Sequence, residues 1–560
     1  MMKQIINNIP DSRGYNAFKR DKSFEKLMNF YCGKNLFQRI KPQFTKLGEL
    51  VGDKIENLTL SADKSPPELI KRSRTGLNYD KIEKHPDFQA LEKIAFSEFG
   101  LAAISHRNKI FGFEEKLPPI IKYGLTFLFV QSEFGLCCPI SMTDSLTRTL
   151  SKFGNKDLVN LFFDKLTSLD IDQLYQGAMF MTEQEAGSDV GNTKTYAENI
   201  NGNWYLTGEK WFCSNPDADL AMVLARPKGN EKGTKGLSLF LLPKLIDNKT
   251  PNDYEILRLK DKLGGRSFAS GEIRLNKAFA YLVGDQNQGF KQMTDMINMS
   301  RLSNGVRSSG MMQRSLQECL YISKNRKAFN TKLINLPLMQ KQILKIFLLA
   351  ESSRSIVFHS AKVLEKADDG VDIYKILFRI LTPLIKFRSC RDARKVTGDL
   401  MEVRGGCGYI EEWSDARMVR DAHLGSIWEG TSNIVALDVI RSLKKNDNLK
   451  VFKKYLFDVV GNFDIAKDRK YFNDNIEKVF NFALTIINDN IEHSARQISS
   501  ALYYLSASIF SYNEGHLEPE LSYRKKLAKL ILKHKICTND PLQKEDLENS
   551  IKSFPNLFSH

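Results

Sequence analysis

The chain contains no run of roughly 18 uncharged apolar residues, the minimum a membrane-spanning helix needs. Its opening stretch carries Asp11, Arg13 and Asp21 where an export signal would be apolar. A cytoplasmic protein without a membrane span is the expectation. Cysteine is scarce and scattered: Cys32, Cys137, Cys138, Cys213, Cys319, Cys390, Cys407 and Cys537 form no C-x-x-C pair. Without an export signal, that spacing excludes a disulfide scaffold and predicts mostly buried free thiols with no structural zinc. Also missing are a G-x-G-x-x-G following a strand, a Walker loop, a G-x-S-x-G elbow and an H-E-x-x-H pair, and the eight histidines are dispersed. Nucleotide-fold, P-loop, hydrolase and zinc-protease chemistries therefore lack support, and no metal site is expected. There is no internal repeat and no low-complexity tract.

What is present is ordinary globular material. The 560 residues are 42% apolar, 10% aromatic and 26% charged, enough for about two to four folded domains. A net charge of +16 attracts polyanions. The tail from Lys445 onward holds 17 Lys and Arg against 15 Asp and Glu, so the excess lies in the first 444 residues. In that tail Arg524, Lys525 and Lys526 are offset by Glu518, Glu520, Glu545 and Asp546. The phosphates of a CoA ligand, or DNA, could use the excess; DNA binding that is weak and sequence-independent at most is predicted.

Hydrophobic periodicity divides the chain into four parts. Residues 1–176 repeat apolar positions mostly at helical spacing, as in Phe24 to Ile40, Phe88 to Phe99 and Pro118 to Phe134, with breakers at Ser65-Pro66-Pro67, His85-Pro86 and Cys138-Pro139. Residues 177–288 switch to alternation, predicting strands around Trp204 to Cys213, Leu220 to Ala225, Leu237 to Leu242 and Ile273 to Leu275, paired as a sandwich or barrel. Residues 289–444 return to long amphipathic helices, the material of a bundle, with Phe290 to Met299 and Ser303 to Lys324 read as separate segments. Residues 445–560 read as a separate helical extension after a polar hinge at Lys444 to Asn448. The fold class is α+β: a helical domain, a β domain, a helical bundle and a helical tail.

Five short segments carry candidate chemistry. Met181 to Val190 reads M-T-E-Q-E-A-G-S-D-V; Thr182, Gly187 and Ser188 could hydrogen-bond a planar polar ring or a pyrophosphate, or could simply turn the chain between strands. Gly208 to Asn215, G-E-K-W-F-C-S-N, reads as a strand with apolar residues facing a core. In R-K-A-F, Arg326 to Phe329, the guanidinium offers a planar fork to phosphate, or is a helix-end charge. Glu402 to Tyr409, E-V-R-G-G-C-G-Y, is a glycine-rich loop that permits close approach, and Ser426 to Asn433, S-I-W-E-G-T-S-N, could start a helix with Thr431 or Asn433 as its cap.

Taken together, these segments resemble the acyl-CoA dehydrogenase family. That resemblance implies FAD, gripped by Met179, Met181, Thr182, Gly187 and Ser188, with Phe212, Cys213 and Ser214 at the flavin edge. It also implies Arg326 reaching the FAD pyrophosphate of a neighbouring subunit with Phe329 beside it, and Gly405 and Gly406 over the adenosine half. Ile427, Trp428, Gly430, Thr431 and Asn433 would contact the cofactor around Glu429, which would be the catalytic base; Arg301 is a candidate substrate residue. The chain departs from the family at Glu402, where glutamine is usual, and at Ala328 and Asn330, where many members have Thr and Gly. Pro66 to Leu69, Cys138 to Thr143, Leu259 to Gly264 and the helical tail are similar to the AidB-like, alkylation-response branch. What this implies is a homotetrameric FAD oxidoreductase of an unidentified acyl-CoA with an unidentified electron acceptor. The alternative implied by the branch is a DNA-associated protective flavoprotein with vestigial dehydrogenation.

Overall fold

The computed structural model describes residues 9–247, 249–537, 542 and 547–558; Glu545 and Asp546 lie outside them. Packing sorts the chain into two compact units, each assembled from non-consecutive stretches.

One unit comprises residues 55–118 and 132–303. Its centre is the predicted β structure. Strands Asn203–Ser214, Leu220–Pro227, Ser238–Pro243 and Ser270–Val283 appear where alternation placed them, joined by Gly177–Phe180, Tyr196–Ile200 and Tyr254–Leu259. Strand Ser238–Pro243 pairs with both Leu220–Pro227 and the end of Ser270–Val283, and these close a ring through Asn203–Ser214 and Tyr196–Ile200. Closure gives every ring strand a neighbour on both sides, the barrel solution to unpaired backbone. Ala197, Leu206, Cys213, Val223, Phe240 and Ile273 fill the interior.

The sequence reading misses a β element near the start of the barrel unit. Glu68–Arg72 and Asn78–Glu83 form an antiparallel hairpin within the stretch read as helical. Proline at 66 and 67 stops the preceding helix, and Leu69 and Ile82, opposite each other in the hairpin, then reach the barrel core.

The other unit comprises residues 9–54, 119–131 and 304–558 and is helical. Helix Lys22–Cys32 starts where the Asp21 carboxylate accepts from the Phe24 amide and stops at Gly33. Phe24 packs against Phe127 and Phe358, with ring centroids 4.7 and 5.7 Å apart. The bundle is made by Pro337–Asp368, Asp372–Arg404, Ser414–Gly425 and Ser432–Lys444. Helix Gly289–Asn325, read as two segments, is continuous; residues 289–303 belong to the first-described unit and 304–325 to this one.

The tail does not stand apart from the bundle. Helix Ala495–Leu517 packs on Pro337–Asp368, Asp372–Arg404 and Ser432–Lys444. Arg524, fully buried, donates to Glu514 and to Glu351, both at 2.5 Å. Glu351 also pairs with Arg354, which reaches Asp21 at 2.7 Å. Burial alone would raise the Glu351 carboxyl, but Arg354 and Arg524 hold it below its ordinary value. A chain of buried charges therefore joins the N-terminal helix, the bundle and the tail, and each member keeps its neighbours compensated. Five of the eight cysteines are buried and all are free thiols. Among the described residues no helix is long and apolar enough to cross a membrane.

Candidate functional site

The barrel unit brings the first two segments together. Strand Gly177–Phe180 carries Met179 and runs into Met181 and Thr182, and the Trp211 amide donates to the Thr182 carbonyl at 2.8 Å. Gly187 and Ser188 follow on an exposed turn. A Cβ built on Gly187 would meet nothing nearer than Thr182 Cγ2 at 3.9 Å, so a ligand can approach the backbone there. Along strand Asn203–Ser214 the period of two turns Phe212 outward, 57% exposed, and Cys213 inward, fully buried in the barrel core. The Cys213 thiol thus fills the core, and burial pushes it well above the usual thiol range, leaving only its backbone to face a ligand.

Two residues absent from the sequence reading hold this half in place. Glu183 accepts from the Lys194 and Thr195 amides and from Thr195 Oγ1, and takes Lys210 Nζ at 2.7 Å. Burial would raise the Glu183 carboxyl; Lys210 and these hydrogen bonds hold it below its ordinary value. Lys210 also reaches the Leu224 carbonyl at 2.8 Å, fastening the 183–195 loop to two strands. Lys260 lies 3.4 Å from the Trp211 ring centroid and 4.8 Å from that of Phe212, and pairs with Glu272 at 2.6 Å. The signal for Glu183 and Lys210 was only their place inside the segments; nothing in their spacing marked a pair.

The helical unit brings together the third and fourth segments. Lys327–Ala328 and Thr331–Lys332 form a minimal hairpin whose two loop residues, Phe329 and Asn330, both take positive φ, 51° and 59°. Asn330 tolerates that conformation in place of glycine. Phe329 is driven out to 89% exposure. Arg326, just before the hairpin, donates from Nη1 to the Arg404 carbonyl at 3.1 Å, placing its guanidinium beside the Gly405-Gly406 loop. A Cβ on Gly406 would meet nothing within 4 Å. Behind the loop, buried Arg404 donates to Asp415 at 2.8 Å, to Glu318 at 3.0 Å and to the Pro10 carbonyl at 3.2 Å. Against the effect of burial, Arg314, Arg20, Ser12 and Arg404 pull the Glu318 carboxyl down to about 2.

The fifth segment connects helices Ser414–Gly425 and Ser432–Lys444. Glu429 is half-buried and has φ +56°, a left-handed conformation that L residues seldom adopt. Such strain persists where surrounding contacts enforce it. Trp428 Nε1 donates to Asn304 Oδ1 at 2.6 Å, and the Arg307 guanidinium lies 4.8 Å from the Trp428 ring. Ile427, Thr431 and Asn433 are exposed. Thr431 occupies the cap position of the following helix but makes no side-chain cap hydrogen bond, so the first amides have no cap from that side chain. Arg301 is buried on helix Gly289–Asn325.

Comparison with known proteins accounts for this arrangement. Residues 287–444 match the family model of the acyl-CoA dehydrogenase C-terminal domain, 178–278 that of its middle domain, and 7–173 that of the adaptive response protein AidB N-terminal domain. Acyl-CoA dehydrogenase family member 11 of Caenorhabditis elegans is 30% identical over 460 residues, 80% of this chain and 74% of that protein. The chain belongs to the acyl-CoA dehydrogenase family. It is also similar to the putative acyl-CoA dehydrogenase AidB of Escherichia coli, 32% identical over 71% of this chain and 73% of that protein. The solved structure of Caenorhabditis elegans ACDH-11 in complex with C11-CoA superposes with a TM-score of 0.88 at 25% identity, covering all of this chain and 98% of that one.

FAD is the cofactor of this family and of this chain. The residues present fit it: backbone open to close approach at Gly187 and Gly406, an outward aromatic at Phe212, a cation at Arg326 and uncapped helix amides after Thr431.

Proposed function

We propose that this chain oxidises an acyl-CoA thioester between its α and β carbons, with Glu429 as the base. The observation that carries this reading is the left-handed turn, which presents a carboxylate from a strained, multiply anchored backbone. The α hydrogen of a thioester is weakly acidic, and a positioned carboxylate oxygen of Glu429 accepts it. FAD, when bound, supplies the acceptor for the hydride that leaves the β carbon.

The remaining residues bind and orient. Met179, Met181, Thr182, Ser188, Phe212 and Ser214 hold the flavin ring, Arg326 forks onto pyrophosphate, and Gly405 and Gly406 admit the adenosine half. Trp428 keeps the turn from rotating, and Arg301 is assigned to substrate. C11-CoA, the ligand of the Caenorhabditis elegans structure, is the acyl-CoA to try first. A homotetramer is part of the reading: Phe329 and Leu338, 89% and 83% exposed, are apolar area of the kind that another copy covers.

Anaerobic mixing with C11-CoA should bleach the flavin of the wild type. Glu429→Gln keeps the shape of the side chain and loses its basicity, so it should retain FAD and slow bleaching by about 10²–10⁴-fold. Equal rates in the two proteins would remove Glu429 from the role of base.

A further inference from the structure

Lys386 lies in the middle of helix Asp372–Arg404, in the apolar run Leu384-Ile385-Lys386-Phe387, and only 2% of it is exposed. A buried ammonium is costly unless its protons are satisfied by acceptors. Its Nζ donates to the Gly425 carbonyl at 2.6 Å and, in a longer contact, to the Gly430 carbonyl at 3.4 Å. Those two carbonyls have special places. Gly425 ends helix Ser414–Gly425, where the last carbonyls have no partner inside the helix and the helix dipole favours a cation. Gly430 stands at the other end of the connection, directly after Glu429, with φ +100°. One ammonium thus touches both ends of the 426–430 connection, whose only carboxylate is that of Glu429.

The connection has further ties, but they hold its neighbours. Arg394 reaches Ser426 Oγ and Arg391 reaches Ser432 Oγ, each at 3.3 Å and each from the same helix as Lys386. Trp428 is tied to Asn304. Lys386 alone among these bonds to backbone directly after Glu429, at the Gly430 carbonyl, and so restrains the residue through which the left-handed turn leaves the carboxylate-bearing position. From these contacts we infer that Lys386 is a positioning residue for Glu429: its ammonium fixes the turn at both ends, and so fixes where the base stands. Its assigned role is positional, because both of these bonds go to backbone carbonyls. This inference rests on the reading of Glu429 as the base.

The test uses the FAD-loaded, full-length protein with C11-CoA as the probe. Lys386→Met keeps the length and apolar bulk of the side chain and removes the ammonium; Lys386→Gln restores a shorter donor. For Lys386→Met we expect flavin content and the C11-CoA concentration at half-maximal rate to stay within about twofold of wild type. We expect the limiting bleaching rate, and the rate of deuterium uptake at the α carbon in heavy water, to fall by about 10²-fold, the scale of a reacting group misplaced by about 1 Å. Lys386→Gln should recover part of that loss. A purely structural lysine would instead lower flavin content and thermal stability without separating the limiting rate from half-saturation.

Wild-type limiting rates in Lys386→Met would overturn the inference, as would loss of FAD in both variants, which would make Lys386 a folding residue only. Its failure is distinguishable from failure of the base assignment. A silent Lys386→Met beside an inactive Glu429→Gln sinks only the positioning role, whereas a fully active Glu429→Gln sinks the base assignment itself.

Discussion

The candidate site residues of the barrel unit and those of the helical unit are anchored by opposite means. On the barrel, a loop that must meet a cofactor is held by one buried carboxylate, Glu183, and one fully buried lysine, Lys210, both belonging to the segments they fasten. On the helices, the Gly405-Gly406 loop is held through Arg404 by Glu318, 86 residues away in sequence, and Glu318 gathers Arg20 and Arg314 as well. A strand pair can anchor itself locally because its neighbours are fixed by register. A loop at a helix end has no ladder to share and depends on charges brought from other helices.

The largest effects should come from breaking these anchors, and they should be unequal. Glu318→Gln leaves three arginines around a neutral amide and should destabilise the protein by about 3–5 kcal/mol, the range for an uncompensated buried charge. Lys210→Met leaves one carboxylate that still accepts two amides and a hydroxyl, so its cost should fall at or below the lower end of that range. Urea unfolding of both variants measures the difference, and equal losses would erase the contrast between the halves. Acid sharpens it. Both carboxyls are held below their ordinary value, so the stability they contribute is complete above the unfolded glutamate range near about 4.3 and is lost as pH falls. For Glu318 the loss should be complete only on falling through about 2. Acid unfolding of Glu318→Gln, followed from neutral pH downward, should therefore lack the late loss seen in the wild type.

An intermediate effect is expected from filling open backbone. Gly406→Val adds a branched side chain where nothing lies within 4 Å, so the apoprotein should keep its stability while FAD binds about tenfold or more weakly. Flavin titration against thermal unfolding separates the two, and undiminished affinity would take Gly406 out of the cofactor contacts.

The smallest effect concerns the tail. Of the basic cluster at 524–526, Arg524 is buried in the Glu351–Glu514 network and Lys525 faces Asp464 at 3.4 Å, while Lys529 pairs with Asp468 at 2.7 Å and Lys453 with Glu477 at 2.9 Å. Within the cluster itself, two of the three cations are therefore engaged with carboxylates. Replacing Lys525 and Lys526 together by Gln should leave the salt dependence of duplex DNA binding unchanged within about one unit of slope. A steeper change would restore the tail as a DNA surface. Removing residues 445–560 altogether would not answer the question, because Arg524 and helix Ala495–Leu517 are part of the bundle's interior.

Much of this was legible in the sequence because period and chemistry coincide there. Alternation in Trp204 to Cys213 marked the strand and, by the same rule, could have shown that Cys213 faces inward once Phe212 faces out. The five segments were found because together they resemble motifs of one family; their residue types alone left each open as a turn, a strand or a helix end. The anchors were not found because Glu318, Arg404 and Lys386 look like any charged residue on a long helix until the helices are packed. A lone lysine inside Leu384 to Phe387 was the one visible clue. The hairpin at 68–83 was hidden by its short length and its charged outer face.

The central claim is that Glu429 removes a proton from the α carbon of an acyl-CoA. Deuterium uptake into that carbon, measured by mass spectrometry on C11-CoA incubated in heavy water with FAD-loaded protein, reads this step without requiring flavin reduction. Wild-type protein should introduce deuterium and Glu429→Gln should do so at least about 10²-fold more slowly at unchanged flavin content. Uptake at the same rate in both, or none with the wild type, would contradict the account.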